Sequence, residues 1–132
     1  MVKEAIRWLR QAEADYAAAQ HSLQAGDFEW SCFQAQQAGE KALKAFLYHH
    51  GYTSIMSHSL TELIRECTKI ERSFSALRPK AKSLDTYYIP TRYPNGLAGD
   101  LAPTDFFEKE DAEQCLSSAG SILAAVKKFL PS

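Results

Sequence analysis

Two apolar stripes at helical spacing fill the first fifty residues, and each ends at a glycine. Val2, Ile6, Leu9, Tyr16 and Leu23 recur at intervals of three, four or seven, with Ala5, Ala12 and Ala19 widening the stripe. A period near 3.6 gathers such residues on one side of an α-helix, whereas a strand would alternate every second residue. Gly26 supplies a stop, because glycine takes up the left-handed backbone that ends helices, and Asp27 stands where an N-cap is wanted. The second stripe runs from about Phe28 to His50. Phe28, Cys32, Ala35, Ala42 and Phe46 mark one face, Phe33, Leu43 and Leu47 a neighbouring one, and Gly51 the end. Apolar residues around so much of the circumference predict the most buried helix of the fold, and its few polar residues near those faces become informative.

Later segments are shorter. His58 or Ser59 is placed to cap a third helix carrying Leu60, Leu63, Ile64, Cys67 and Ile70. A fourth, around Leu77 to Tyr87, must absorb Pro79, which a first turn tolerates but a helix interior does not, so a start or a kink is expected there. Between Tyr88 and Thr104 stand Pro90, Pro94, Gly96, Gly99 and Pro103, too many breakers for regular structure. A last helix, capped by Thr104 or Asp105, includes Phe106, Ala112, Cys115, Ala119, Ile122, Val126, Phe129 and Leu130. Strand-like alternation is absent. The expectation is an all-α, up-and-down antiparallel bundle of four to five helices, one domain over residues 1–132, with one long loop before the last helix.

Charge narrows the partners. Fifteen basic and sixteen acidic residues nearly cancel, so the broad positive field that steers many proteins onto duplex nucleic acid is missing and any anion site must be local. Cys32, Cys67 and Cys115 are odd in number and sit in apolar helical stretches, unlike disulfide or zinc frameworks, and read as reduced core residues. No uncharged apolar run approaches the ~20 residues of a membrane span. A cytoplasmic protein without metal or cofactor is expected.

Candidate site residues each have two readings. Arg92, beside Tyr88 and Tyr93, has a fork of donors that suits a phosphate, with the rings available to a base; it equally suits a carboxylate that ties the loop to the bundle. Lys41 and Lys44 are three residues apart, and with Gln37 they define one side of the second helix where a small anion could sit. Glu40, four residues before Lys44, instead suggests a solvated ion-paired face. His58 precedes a helix, where it orders a turn or donates to a phosphate. His49 and His50 lack a third ligand in sequence reach and make a poor metal site. Trp8, Trp30, Phe33, Phe46, Phe106 and Phe107 read as packing or subunit interface. No Gly-x-Ser-x-Gly turn, Gly-rich phosphate loop or His-Glu-x-x-His helix occurs.

Four segments taken together resemble the HEPN family, the nucleotide-binding domains of higher eukaryotes and prokaryotes. They are Arg7-Trp8-Leu9-Arg10-Gln11-Ala12 with Asp15, Gln36-Gln37-Ala38-Gly39-Glu40-Lys41-Ala42-Leu43-Lys44-Ala45, His58-Ser59-Leu60 with Leu63, and Tyr88-Ile89-Pro90-Thr91-Arg92-Tyr93-Pro94. The resemblance implies a helical bundle that commonly dimerises. One branch of the family consists of metal-independent ribonucleases marked by Arg-x(4 to 6)-His. Here the histidines are His21, His49, His50 and His58, and no arginine lies five to seven residues before any of them. Such a ribonuclease needs an imidazole for proton transfer beside a guanidinium for phosphate charge, and the missing spacing moves the expectation from cutting RNA toward binding.

The resulting expectation is a non-catalytic, homodimeric domain that binds a nucleotide, ATP or GTP, or a nucleotide-bearing partner. The groove would lie near the second helix and the Tyr88–Pro94 loop, lined by Arg92, Tyr93, Tyr88, Lys41, Lys44 and His58. One alternative is the HEPN half of a two-gene, toxin–antitoxin-like system with a small nucleotidyltransferase. The other is a ribonuclease acting on RNA through an atypical site of Arg92 and His58.

Overall fold

Glycine decides where the first two helices stop. A computed structural model describes residues 2–131, and the side chain of Val2, first member of the sequence stripe, lies outside the described residues. Helix α1 spans Val2–Ala25 and α2 spans Phe28–His49. Beyond them Gly26 and Gly51 take φ of 84° and 97°. In that conformation Asp27 N–H donates to Ser22 O at 2.9 Å and Tyr52 N–H to Leu47 O at 3.1 Å, the six-to-one closure of a Schellman turn in both places. Asp27 does stand at the N-cap of α2, but its side chain makes no capping bond; only its carbonyl takes part, accepting from Ser31 N–H at 3.0 Å.

Helix α3 (Leu60–Ile70) is capped by Ser59, whose hydroxyl accepts from Glu62 N–H, and not by His58. A 3₁₀ segment, Arg72–Leu77, leads into α4 (Arg78–Asp85), where Pro79 sits in the first turn, so the proline starts the helix without kinking it. The expected long loop carries more structure than its breakers suggest. Pro94–Gly96 makes a 3₁₀ turn, and Pro103–Phe106 forms a one-turn helix, α5. The last helix, α6 (Lys109–Lys127), therefore begins later than the expected cap at Thr104 or Asp105. The reason is Phe107: its backbone is extended so that its ring can be buried, which splits one expected helix in two.

Helix α2 is the centre of the bundle, with thirteen of its twenty-two residues buried, and it packs against α1 on one side and α6 on the other. Phe46 sits among Phe74, at 4.7 Å between ring centroids, and Phe129, at 5.9 Å. Where α2 meets α3, α4 and α6 the helices approach so closely that a Cβ on Gly39 would lie 2.8 Å from a methyl of Leu60 and 3.3 Å from one of Leu84. The described residues form an all-α, up-and-down bundle without strands. All three cysteines are free and buried.

Candidate functional site

The polar residues of α2 sit in an otherwise apolar run, Ala38-Gly39-Glu40-Lys41-Ala42-Leu43-Lys44-Ala45-Phe46-Leu47, and that placement determines their chemistry. Glu40 and Lys44 form an ion pair at 3.0 Å with side chains only 3% and 4% exposed. The solvated face that their spacing suggests is thus a buried pair. Water cannot screen it, so the partners depend on each other and on the groups around them. Gln37 donates to Glu40 at 3.4 Å and to Gln36 at 2.8 Å, while the Gln36 amide nitrogen is buried without a partner. The Lys44 ammonium lies 5.3 Å from the centre of the Trp8 ring, which stacks on Tyr48 at 5.5 Å.

His58 links this pair to the Tyr88–Pro94 loop. Its Nδ1 is 3.1 Å from the Glu40 carboxylate, and its ring, largely exposed, stacks on Tyr88 at 5.7 Å and 15°. Tyr88 in turn lies against Arg92, whose guanidinium carbon is 4.5 Å from the Tyr88 ring, 4.5 Å from the Phe33 ring and 5.1 Å from the Tyr93 ring. Arg92 Nε–H donates to Tyr88 O at 2.9 Å, and Thr91 Oγ–H to Tyr87 O at 2.6 Å, which curls the loop into a tight turn. Among the described residues Arg92 has no carboxylate partner. It is held by rings, through the cation–π and stacking contacts that arginine favours, and four of its five donors remain without a described acceptor.

Of the six residues singled out in the sequence, His58, Tyr88, Arg92 and Tyr93 come together directly, and Lys44 joins them through Glu40. Lys41 does not. Its ammonium is turned to α1, where it pairs with Asp15 at 2.6 Å, and Asp15 also accepts from Gln11 at 2.9 Å. A shallow cleft lined by Glu4, Arg7, Trp8, Gln11 and Lys41 opens on that side.

Segments far apart in sequence thus meet on one face of α2. A model of the HEPN domain matches residues 5–129. The chain belongs to the HEPN domain family. Among solved structures it is similar to TT1696 from Thermus thermophilus, with 38% identity, a TM-score of 0.89, and 96% of this chain and 98% of that one covered. It is similar as well to ST0689, described as an archaeal HEPN homologue, with 31% identity, a TM-score of 0.77, and 94% and 95% covered. The protein named "Putative toxin MJ1304" from Methanocaldococcus jannaschii is 34% identical, over 98% of this chain and 90% of that protein.

Within this HEPN fold Glu40, Phe33 and Asp85 carry more of the site than their sequence context suggests. Glu40 was detectable in principle, since it stands among the few polar residues of a helix that is apolar around much of its circumference. Phe33, read as packing, forms one wall of the Arg92 cradle. Asp85 carried no signal, because it acts through folding: its carboxylate accepts from Leu60 N–H at 2.7 Å, Thr61 N–H at 3.0 Å, Thr61 Oγ–H at 2.7 Å and Ser59 Oγ–H at 3.1 Å. That holds the start of α3, and with it His58, beside the Tyr88 turn. Burial pushes the Cys67 thiol well above the usual thiol range, and a hydrogen bond with Cys32 followed by burial does the same to Cys115. Among the described residues no group of three His, Cys, Asp or Glu is placed to hold a metal ion, and no helix is long and apolar enough to cross a membrane.

Proposed function

We propose that this is a non-catalytic HEPN domain that binds a nucleotide, ATP or GTP, or a nucleotide-bearing partner, on the face where His58, Tyr88, Arg92 and Tyr93 converge. The observation that carries this reading is the state of Arg92: a guanidinium preset among three rings, with no carboxylate to neutralise it among the described residues. Such an arrangement favours a phosphate, because the donor fork is already oriented and its charge is uncompensated. Tyr88 already stacks on His58 and lies against Arg92, so Tyr93, 48% exposed, is the ring offered to a stacking base. Lys44, committed to Glu40, acts here by holding the carboxylate that orients His58. Lys41 has no direct part.

The same reading makes the protein a cytoplasmic homodimer. Trp30 and Ile89 are about half exposed in the single chain, and such aromatic, apolar surface is typical of the centre of interfaces. Calorimetric titration with ATP, GTP and a short RNA tests the binding, with Arg92→Gln as the control. Absence of heat with every ligand at millimolar concentration defeats it, and a monomeric mass by sedimentation defeats the dimer.

A second reading has its own support in the relative named as a toxin, which aligns along nearly its whole length. In that reading the domain is the HEPN half of a toxin–antitoxin-like pair with a small nucleotidyltransferase. Expression of the chain alone would then arrest growth, and a nucleotidyltransferase encoded beside it would relieve the arrest. Growth unaffected by expression removes this reading. The ribonuclease alternative draws less from the geometry, since His58 is engaged by Glu40 and Tyr88 while the Arg92 guanidinium is engaged by the rings of Phe33, Tyr88 and Tyr93. RNA left intact by wild type removes it.

A further inference from the structure

Helix α3 carries acids and cations side by side, and Arg65 borders both the linker side and the α4 side. Its acids, Glu62 and Glu66, face the linker before the helix, where they accept from Ser57 Oγ–H at 2.6 Å and Tyr52 OH at 2.7 Å. Its cations, Arg65 and Lys69, line a cleft on the α4 side, together with Arg78, Thr68 and Ser75, over a floor formed by the buried Ile64. No acid lines this cleft. Residues 65–82 hold six of the chain's fifteen basic residues (Arg65, Lys69, Arg72, Arg78, Lys80, Lys82) against two of its sixteen acids, in a protein whose net charge is −1.

The carboxylates nearest this concentration are already committed, and one of them neutralises a lysine of the cleft itself. Glu66 takes Lys69 at 2.8 Å, Glu71 accepts from Ser73 N–H at 3.3 Å, and Asp85 is spent on the start of α3. Arg65 and Arg78 are both exposed and have no ion pair among the described residues. The Ser75 hydroxyl likewise has no hydrogen-bond partner among them. Two guanidiniums without an ion pair among the described residues and the Ser75 hydroxyl thus line a cleft with an apolar floor and cations at its rim.

We propose that the α3–α4 cleft is a second anion site, which takes phosphate groups of a nucleotide or of a nucleic-acid strand on Arg65 and Arg78. Guanidinium pairs suit phosphate because their forked donors match its oxygens, and a cleft open along its length admits a strand as well as a single group. The site shares no lining residue with the groove of His58, Ser59, Asp85 and Tyr88 and does not rest on the Arg92 reading.

The test compares wild type with Arg65→Gln/Arg78→Gln, both also measured in an Arg92→Gln background so that the two sites are read separately. The probe is a short, 5′-labelled single-stranded oligonucleotide followed by fluorescence anisotropy at several salt concentrations. The double variant is expected to keep its melting temperature, to bind about tenfold or more weakly, and to flatten the dependence of log affinity on log salt by roughly 0.7 for each phosphate that the protein no longer neutralises. Tripolyphosphate that displaces the probe from wild type as effectively as unlabelled strand, phosphate for phosphate, identifies a small phosphorylated ligand; displacement by strand alone identifies the polymer. Equal affinity and equal salt slope in wild type and double variant overturn the site.

Discussion

Two lysines three residues apart on α2 have opposite circumstances. Lys44 pairs with Glu40 within the same helix, both side chains all but buried, whereas Lys41 pairs with Asp15 across to α1, at 23% and 17% exposure. Sequence spacing makes them look like neighbours on one face. Burial makes them different objects: one is a desolvated pair whose members cannot be removed singly, the other a partly wet contact that water can replace. The pair that matters to the Arg92 face is therefore the one the solvent does not see.

Substitutions should expose this contrast, the largest effect first. Lys44→Met leaves Glu40 buried with only His58 and Gln37 for company, and is expected to cost about 3–5 kcal/mol in chemical denaturation. A loss below about 1 kcal/mol would mean that water reaches Glu40 and that the two pairs are alike. Replacing both partners, Glu40→Leu with Lys44→Leu, removes the orphan charge along with the pair and should return stability to within about 1 kcal/mol of wild type. Lys41→Met should cost less than about 1 kcal/mol, and a larger loss would promote the Asp15 contact to the same rank.

The smallest effect concerns pH at the end of the same helix. Burial, then the neighbouring charge of His49, lowers the pKa of His50 from its usual 6.5. Its folded form resists the proton, so below 6.5 the unfolded chain binds more protons and stability falls as pH drops. His50→Gln should flatten the stability profile between neutral pH and about pH 5. An unchanged slope would assign that dependence to other groups.

Helices α1 and α2 were legible in the sequence almost to the residue, because an apolar period and a glycine at each end leave little freedom. The start of α4 was legible too, since Pro79 fits only a first turn. The split between α5 and α6 was not, for it depends on where the Phe107 ring finds a cavity, which is a matter of three-dimensional packing. At the site, the Tyr88–Pro94 loop identified Tyr88, Arg92 and Tyr93, and the structure brings His58 to them. The carboxylate expected as one partner of Arg92 is absent among the described residues, and the rings that hold it were not legible, because those contributed by α2 and by the loop itself are separated by some sixty residues until the chain folds. Lys41 was grouped with Lys44 by helical spacing, a local rule that carries no knowledge of α1.

Asp85 offers a consequence of another kind. Amides in the first turn of a helix have no partner within it and exchange quickly with solvent, yet those of Leu60 and Thr61 are held by a carboxylate twenty-five and twenty-four residues further on. Their protection is thus a timer for the docking of α4, not for the winding of α3. If the segment between them opens as one cooperative unit while α1, α2 and α6 stay closed, these two amides will exchange together, earlier than the core of α2, and at a rate set by how often that flap lifts.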